Sequence, residues 1–156
     1  KATQYGLDTL CIRPFSGYGP GQTLDYPVPA ILSRAIAMED PLVIWGGRQT
    51  RDFVYVTDIV DATMAKVAAG VSGYETMNIS SGNGVTFEQI ARNAAQIVGY
   101  DPEVVYDPGM PMGVMHRRGD NQRMNRHFQL SVPLLQGLRW TVDSLRSPDI
   151  EGRTDA

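Results

Sequence analysis

Apolar residues along the chain alternate between short continuous runs and stripes with helical spacing. The runs predict buried strands over Thr9–Arg13, Leu42–Trp45, Arg51–Val56, Glu75–Ser80 and Pro102–Asp107. The stripes, in which apolar residues recur every three or four positions, predict helices over about 27–39, 58–69, 86–98 and 132–145. Strands that alternate with helices are typical of an α/β protein with mainly parallel pairing.

Polar residues and glycines predict where several of these helices begin and end. Thr86 and Gln89 fit a capping box, and Ser131 is the expected N-cap of the last helix. In the helix from 58 to 69 one stripe is expected to face inward, formed by Ile59, Val60, Thr63, Met64, Val67 and Ala68. Gly17–Gly21 and the stretch 108–125 have no apolar period, so both are predicted to be loops, and residues 1–6 are predicted to end a helix.

Composition narrows the class of protein. The chain has 156 residues, a net charge of −3 and no apolar run long enough for a membrane span. The mild acidity offers no basic face for nucleic acid, and no secretory signal opens the chain. A single cysteine, Cys11, excludes a disulfide within the chain and is most simply a small buried apolar residue, so a cytoplasmic protein is expected.

Most residues that could form a metal site or a cofactor loop are better explained by ordinary structural roles. His116 and His127 are not at metal spacing to cysteine or carboxylate pairs, which favours ordinary surface histidines. The glycines from Gly17 to Gly21 lack the spacing of a dinucleotide loop, and Pro20 interrupts their amides, which favours a turn.

Arginine is the more informative residue type. Twelve of the fourteen basic residues are arginine, whose planar fork of donors matches phosphate oxygens in pairs. Arg51, Arg117 and Arg118 are therefore candidates for phosphate binding. Ordinary ion pairs with Asp52 and Asp120 are the alternative at this point.

Five segments, in order over nearly the whole chain, resemble motifs of one enzyme family. They are Arg13–Gln22 (RPFSGYGPGQ), Gly46–Ala62 (GGRQTRDFVYVTDIVDA), Asn78–Gly82 (NISSG), Arg117–Asp120 (RRGD) and Gly137–Val142 (GLRWTV). The family is the extended short-chain dehydrogenase/reductases, which comprise NAD-dependent nucleotide-sugar epimerases and dehydratases. The resemblance favours phosphate binding over ordinary ion pairs at Arg51 and Arg117.

The resemblance implies an α/β fold that combines the C-terminal part of an NAD(P)-binding Rossmann-like domain with the family's substrate-binding domain. Residues 1–24 would supply a late Rossmann strand and the active-site loop, and residues 73–99 the last Rossmann strand and a helix. Residues 25–72 and 100–146 would supply the substrate-binding segments. Residues 147–156 are expected to form a flexible tail.

The same resemblance assigns roles by position. Pro14 and Phe15 match the loop that passes the nicotinamide of NAD. The expected substrate-binding residues are Ser16, Tyr26, Pro27, Val43, Trp45, Arg51, Arg117 and Asp120. Among these, Arg51 and Arg117 match the arginines on the diphosphate, with Arg118 an alternative register for the second one. Trp45 offers a stacking face, Asp120 matches the carboxylate near the nucleotide ribose, and Ser16 stands where many members have an asparagine.

Two family motifs have no counterpart in the chain. The family's active site uses a Tyr-x-x-x-Lys pair, but the only lysines are Lys1 and Lys66, and Ala62 stands four positions before Lys66. The family's glycine-rich phosphate loop is also missing. The expected protein is therefore the substrate-binding half of such an enzyme, inactive alone, with a nucleotide sugar as ligand and either a second copy or the N-terminal half as partner. A stand-alone nucleotide or nucleotide-sugar binding module is the alternative.

Overall fold

The computed structural model describes residues 4–107, 109 and 113–147. Within these residues the strands are β1 (Thr9–Pro14), β2 (Ser16–Tyr18), β3 (Leu42–Trp45), β4 (Thr50–Arg51), β5 (Phe53–Tyr55), β6 (Tyr74–Ile79), β7 (Val85–Thr86) and β8 (Val104–Asp107). The helices are α1 (Pro27–Ile36), α2 (Val56–Ala68), α3 (Phe87–Val98) and α4 (Leu134–Arg146), with one 3-10 turn at Met124–Arg126.

The longest strands, β1 and β6, form a parallel pair in which Thr9 lies opposite Tyr74 and Pro14 opposite Ile79. Because side chains alternate along a strand, Leu10 and Ile12 project from one face of this pair together with Met77 and Ile79. They pack against Ala62 of α2 and form the smaller of two hydrophobic clusters. Among the described strands, β6 is the one neighbour of β1, so the other edge of β1 is unpaired.

The larger hydrophobic cluster lies between α1, α3 and α4. It is built from fully buried side chains that include Leu32, Leu42, Ile90, Leu138 and Val142. Three short strand pairs border it: β2 with β5 and β3 with β8 run parallel, and β4 with β7 runs antiparallel. This arrangement brings the ends of β3 and β4 beside α1 and α3, where the candidate site lies.

The alternation of strands and helices and the mainly parallel pairing are confirmed. The capping box at the start of α3 also forms: the Gln89 amide nitrogen donates to Thr86 Oγ1, and the Thr86 amide donates to Gln89 Oε1. Gly99 ends α3 in the left-handed conformation, with φ of +96°, which a residue with a side chain rarely adopts.

Several local predictions were wrong. Gly17 and Tyr18, the first two residues of the predicted loop, belong to β2, because this segment pairs with β5, a contact across the sequence that local composition does not show. The predicted strand from 51 to 56 is divided at Asp52, and its last residue, Val56, begins α2. Helix α1 ends at Ile36 rather than near 39. Ser131 does not cap α4; its amide and hydroxyl instead donate to Asp58, and α4 begins at Leu134.

The inward-facing stripe predicted for α2 was wrong for Val60, Met64, Val67 and Ala68, although Ile59 packs against the smaller hydrophobic cluster. Val60, Met64 and Val67 are each at least half exposed, whereas Asp58, Ala62 and Lys66 are buried. The predicted helix end at residues 1–6 lies partly outside the described residues, and the tail from 148 lies wholly outside them. Between 113 and 125 the chain is irregular as expected, apart from a bridge of His116 to Thr50 and the start of the 3-10 turn at Met124.

Two further properties of the described residues concern membrane spans and metal binding. None of the described helices is both long enough and apolar enough to cross a bilayer. In the same part of the chain, His, Cys, Asp and Glu side chains do not gather in groups of three or more that could hold a metal ion. Cys11 is half-buried in β1.

Candidate functional site

A cavity of about 480 Å³ opens between α1, the end of β3, β4 and the start of α3. It is lined by Leu24, Asp25, Tyr26, Pro27, Ala30, Ile31, Arg34, Trp45, Gln49, Arg51, Phe87 and Gly113. Aromatic and aliphatic side chains make up most of its wall, with a small number of charged groups. This is the usual composition of a small-molecule site.

Helix α1 forms one wall. Pro27, Ala30, Ile31 and Arg34 recur at the spacing of one helix face, so they meet the cavity together. Pro27 is the first helical residue, where the missing proline N–H costs nothing. The Arg34 guanidinium donates to the Val43 carbonyl oxygen and to the Ala30 carbonyl, which ties α1 to β3.

Trp45 and the turn after it form the opposite wall. Trp45 is the last residue of β3 and is 52% exposed, so its ring is available to a ligand. Gln49 is buried beneath it and donates from Nε2 to the Trp45 carbonyl oxygen at 3.1 Å. Gly46 leaves room for this amide, since a Cβ there would collide with the Gln49 side chain, and its φ of +78° suits glycine.

Arg51 lies at the end of the cavity nearest α3. Its Nη1 donates to the Thr50 carbonyl at 2.8 Å and to the Val114 carbonyl at 2.6 Å, and its guanidinium carbon lies 5.8 Å from the centre of the Phe87 ring. These contacts hold the side chain in one orientation. The ion pairs between described residues are Lys66–Glu75 and Arg92–Glu88, so Arg51 has no carboxylate partner in that part of the chain.

Arg117 lies close enough to act electrostatically on Arg51. Its amide donates to the Thr50 carbonyl at 3.2 Å, which fixes its backbone beside β4, and its side chain is exposed. Burial, and after it the positive charge of Arg117, lowers the pKa of the Arg51 guanidinium. Two cations thus lie near each other, Arg51 in the cavity wall and Arg117 outside its lining residues, an arrangement that an anion would stabilise.

Asp52 does not pair with its neighbour Arg51. Its fully buried carboxylate accepts hydrogen bonds from the Ser81 amide and hydroxyl, both at 2.7 Å, from the Gly82 amide at 3.1 Å and from the Gly119 amide at 3.0 Å. The donors belong to the loop after β6 and to the segment that carries Arg117. Asp52 therefore positions that segment against β4.

Asp58 makes a second link of the same kind. Its buried carboxylate accepts from the Ser131 amide and hydroxyl at 3.0 and 2.8 Å and from the Val132 amide at 3.1 Å. It joins the start of α2 to the segment that leads into α4. The two aspartates thus fasten the C-terminal third of the chain to the strand and helix after Arg51.

The structure brings together four of the residues expected at the substrate site, since Tyr26, Pro27, Trp45 and Arg51 line the cavity. Val43 contributes its carbonyl to the Arg34 contact, and Arg117 lies beside Arg51. Ser16, also expected at the substrate site, lies elsewhere: it begins β2, half-buried and opposite Phe53. Pro14 and Phe15, expected at the nicotinamide, do not line the cavity either; Pro14 ends β1 exposed, and the Phe15 amide donates to the Ile79 carbonyl at 2.9 Å.

Asp120 belongs to a different cavity. It lines a space of about 240 Å³ with Arg13, Thr76, Asn78 and Arg123, and this space shares no lining residue with the cavity of Arg51. Its expected role beside a nucleotide ribose stays a prediction that this placement does not support.

Other cavity residues were not expected from the sequence. The sequence motifs assign no role at the site to Leu24, Arg34, Gln49 or Phe87. The helical spacing of Arg34 from Pro27 and Ile31 is a signal that could have identified it, because Pro27 was already expected at the site. Nothing local to Gln49 shows that its side chain folds back beneath Trp45.

Comparison with known proteins identifies the family. The model of the NAD dependent epimerase/dehydratase family matches residues 1–80. The chain belongs to this family, which confirms the resemblance found in the sequence motifs.

Individual relatives are sugar-nucleotide enzymes. The chain is 34% identical over 145 residues to dTDP-4-dehydro-6-deoxy-D-allose reductase of Streptomyces bikiniensis, covering 89% of this chain and 44% of that protein. It is 28% identical to probable GDP-L-fucose synthase 1 of rice, Oryza sativa subsp. japonica, covering 92% and 48%. The chain thus spans about half the length of the curated relatives it matches.

Solved structures show the same relation. UDP-glucose 4-epimerase of Thermotoga maritima, solved with UDP-glucose, superposes with a TM-score of 0.83 at 32% identity, over 93% of this chain and 48% of that one. UDP-glucose 4-epimerase of Thermus thermophilus, solved with NAD, gives a TM-score of 0.80 at 25% identity, over 94% and 49%. The fold is therefore that of about half of a Rossmann-like epimerase.

Proposed function

We propose that this chain is the substrate-binding half of an NAD-dependent nucleotide-sugar epimerase, dehydratase or reductase, and that the cavity beside Arg51 holds the nucleotide diphosphate. The observation that carries the proposal is the orientation of Arg51 in the cavity wall, with Arg117 nearby and no carboxylate partner in the described residues. A diphosphate supplies the negative charge that this pair lacks, and guanidinium forks match its oxygens.

The rest of the cavity suits a nucleoside. The exposed ring of Trp45 offers a stacking face, and the face of α1 that begins at Pro27 provides an apolar wall opposite it. Tyr26, at the N-cap position of α1, borders the entrance with 55% of its surface exposed. In this arrangement the base lies between β3 and α1, and the diphosphate lies toward β4.

The residues at the end of β1 fit the nicotinamide end of NAD and not the whole cofactor. Pro14, the last residue of β1, and Phe15 after it lie at the carboxyl end of a parallel strand, where open α/β sheets bind ligands, and their rings can border a flat nicotinamide. Neither side chain can donate to a phosphate. NAD, when bound, supplies the hydride-transfer chemistry of the family; this chain would border its nicotinamide end, with the phosphates held by residues outside the chain.

The partner that would complete the site is the N-terminal half of the fold, with a second copy as the other candidate. Two features support a missing neighbour. The outer edge of β1 is unpaired among the described strands, and α2 exposes the apolar side chains Val60, Met64 and Val67. Unpaired strands and apolar helix faces recruit other chains.

The nucleotide assignment is tested by calorimetric titration with uridine, guanosine and thymidine diphosphates. We expect at least one of them to bind and Arg51→Ala to weaken it at least about tenfold, because a charge-assisted hydrogen bond contributes roughly 1.5–3 kcal/mol. Arg51→Lys should restore only part of the affinity, since an ammonium cannot make the paired contact. Arg139→Ala, which removes an exposed arginine of α4 away from the cavity, is the control. Equal binding by wild type and Arg51→Ala would end the assignment.

A further inference from the structure

A second pair of arginines lies away from the cavity of Arg51. Arg13, near the end of β1, and Arg123, just before the 3-10 turn, line the cavity of about 240 Å³ that also contains Asp120. Neither arginine has a role in the function proposed above. The two cavities share no lining residue, so the contacts available here are not those proposed for the nucleotide diphosphate.

The register of β1 and β6 explains why this cavity forms. Arg13 lies opposite Asn78, and Cys11 lies opposite Thr76. Because side chains alternate along strands, Arg13, Thr76 and Asn78 project from one face of the pair. This is the face opposite to that of Leu10 and Ile12, which pack in the cluster with α2. A row of polar side chains therefore lies on the face that α2 does not cover.

The walls of the cavity are held in place before any ligand arrives. Nη1 of Arg123 donates to the Thr76 carbonyl and to Thr76 Oγ1, both at 2.9 Å. Asn78 Nδ2 donates to the Asp120 carbonyl at 3.0 Å, and Asp120 Oδ1 accepts from the Gln122 amide at 3.0 Å. Within the described residues, these bonds leave Nη2 and Nε of Arg123 free to donate. Donors that are already oriented lose less entropy when they bind.

The charges at the cavity are not balanced. Within the described part of the chain, neither Arg13 nor Arg123 is ion-paired, and Asp120, the one carboxylate in the cavity wall, lies beyond ion-pair distance from both. The site thus places two guanidinium groups against one carboxylate in a chain whose net charge is −3. Two like charges at one small cavity repel each other, and a bound anion would convert this repulsion into attraction.

We propose that the cavity of Arg13 and Arg123 is a second anion site that binds a phosphate group, either as the free ion or on a small organic molecule. Arg13 and Arg123 donate to the phosphate oxygens, because guanidinium forks match them in pairs. Asp120 repels the ligand and so limits its affinity. The site depends on no residue of the nucleotide cavity, and its test is independent of the diphosphate assignment.

The test is a titration of the 156-residue chain with inorganic phosphate at low ionic strength, followed by NMR of the arginine Nε–H groups and by calorimetry. We expect saturable binding that shifts the signals of Arg13 and Arg123. Arg13→Ala should weaken it at least about fivefold, as expected for loss of a charge-assisted contact. Arg139→Ala, an exposed arginine on α4, is the matched control and should bind like wild type. A parallel titration with ribose 5-phosphate distinguishes a free phosphate site from one for a phosphate monoester.

We expect Asp120→Asn to change the phosphate affinity in the opposite direction to Arg13→Ala. Removal of the repelling charge should tighten phosphate binding, whereas a purely structural role of Asp120 would leave phosphate binding unchanged or weaken it. Arg123→Ala loses the contacts with Thr76, so if that variant is unstable, Arg123→Lys replaces it in the phosphate titration. The proposal is overturned if Arg13→Ala binds phosphate like Arg139→Ala, if Asp120→Asn does not strengthen binding, or if sodium chloride at equal ionic strength gives the same signal changes.

Discussion

At the scale of single residues, the site depends on buried carboxylates as much as on the arginines that would contact a ligand. Asp52 accepts four hydrogen bonds from two segments that are remote in sequence, the loop at Ser81 and the segment at Gly119. Because Gly119 follows Arg117 closely, this carboxylate fixes the backbone of the segment that carries Arg117, the second arginine of the proposed phosphate site. Arg51 Nη1 donates to the Thr50 and Val114 carbonyls, and its other guanidinium nitrogens have no acceptor among the described residues.

We expect Asp52→Ala to lower the free energy of unfolding by about 2–4 kcal/mol, because it leaves buried amide and hydroxyl donors without an acceptor. Urea denaturation followed by circular dichroism measures the change. Asp143→Ala, an exposed aspartate on α4, is the control and should change stability by less than about 0.5 kcal/mol. If the two variants unfold at the same urea concentration, Asp52 does not fasten the C-terminal segment as described.

The sequence supports some residue-level assignments better than others. Arg51 could be predicted because its residue type and its motif both point to phosphate. The role of Asp52 could not, because its donors come from Ser81, Gly82 and Gly119, and only the folded chain brings these beside β4. The ion pair of Arg51 with Asp52, the alternative that residue types alone left open, does not form, because neighbouring residues of an extended segment project to opposite sides.

At the scale of elements, the strands and helices follow the apolar pattern, but the pattern does not show what covers each face. Helix α2 illustrates the limit. Its apolar stripe is present in the sequence, yet Val60, Met64 and Val67 are exposed while the buried face carries Asp58, Ala62 and Lys66. Periodicity shows that a helix has an apolar side; it does not show whether the covering surface belongs to the same chain.

If this stripe is a docking surface, the isolated chain should associate at high concentration through it. We expect multi-angle light scattering to give a concentration-dependent mass above the monomer. The double variant Val60→Glu/Met64→Glu should shift this mass toward the monomer, because it places charge on the apolar face. Its stability should change little, since both side chains are already exposed.

The control for this experiment is Gln96→Glu, which adds charge at an exposed position of α3, away from the stripe. It should associate like wild type. A wild-type chain that stays monomeric at high concentration, or a double variant that associates as strongly as wild type, would exclude the stripe as a contact between two copies of this chain.

At the scale of the whole molecule, the chain matches about half of a family fold, and its sequence contains no Tyr-x-x-x-Lys pair. The cavity beside Arg51 is lined by residues between Leu24 and Gly113. Lys66, the one lysine among the described residues, is nearly buried, donates to the Gly70 carbonyl at 2.6 Å and pairs with Glu75 at 2.9 Å. It is thus committed to a structural contact away from the cavity.

We therefore expect this chain to bind nucleotide without catalysing a reaction. We expect a nucleoside diphosphate to bind, as tested by calorimetry, while NAD-dependent conversion of UDP-, GDP- or dTDP-sugars stays at the level of a protein-free blank. General acid–base catalysis alone contributes about 10²–10⁴ in rate, and the lysine that supports it is absent from the cavity.

Products are measured by chromatography and NADH by absorbance, with the Thermotoga maritima UDP-glucose 4-epimerase as positive control. Because the same preparation must bind nucleotide, an inactive result is not explained by misfolding, and conversion above the blank would reveal a catalytic group that neither the motifs nor the cavity contains.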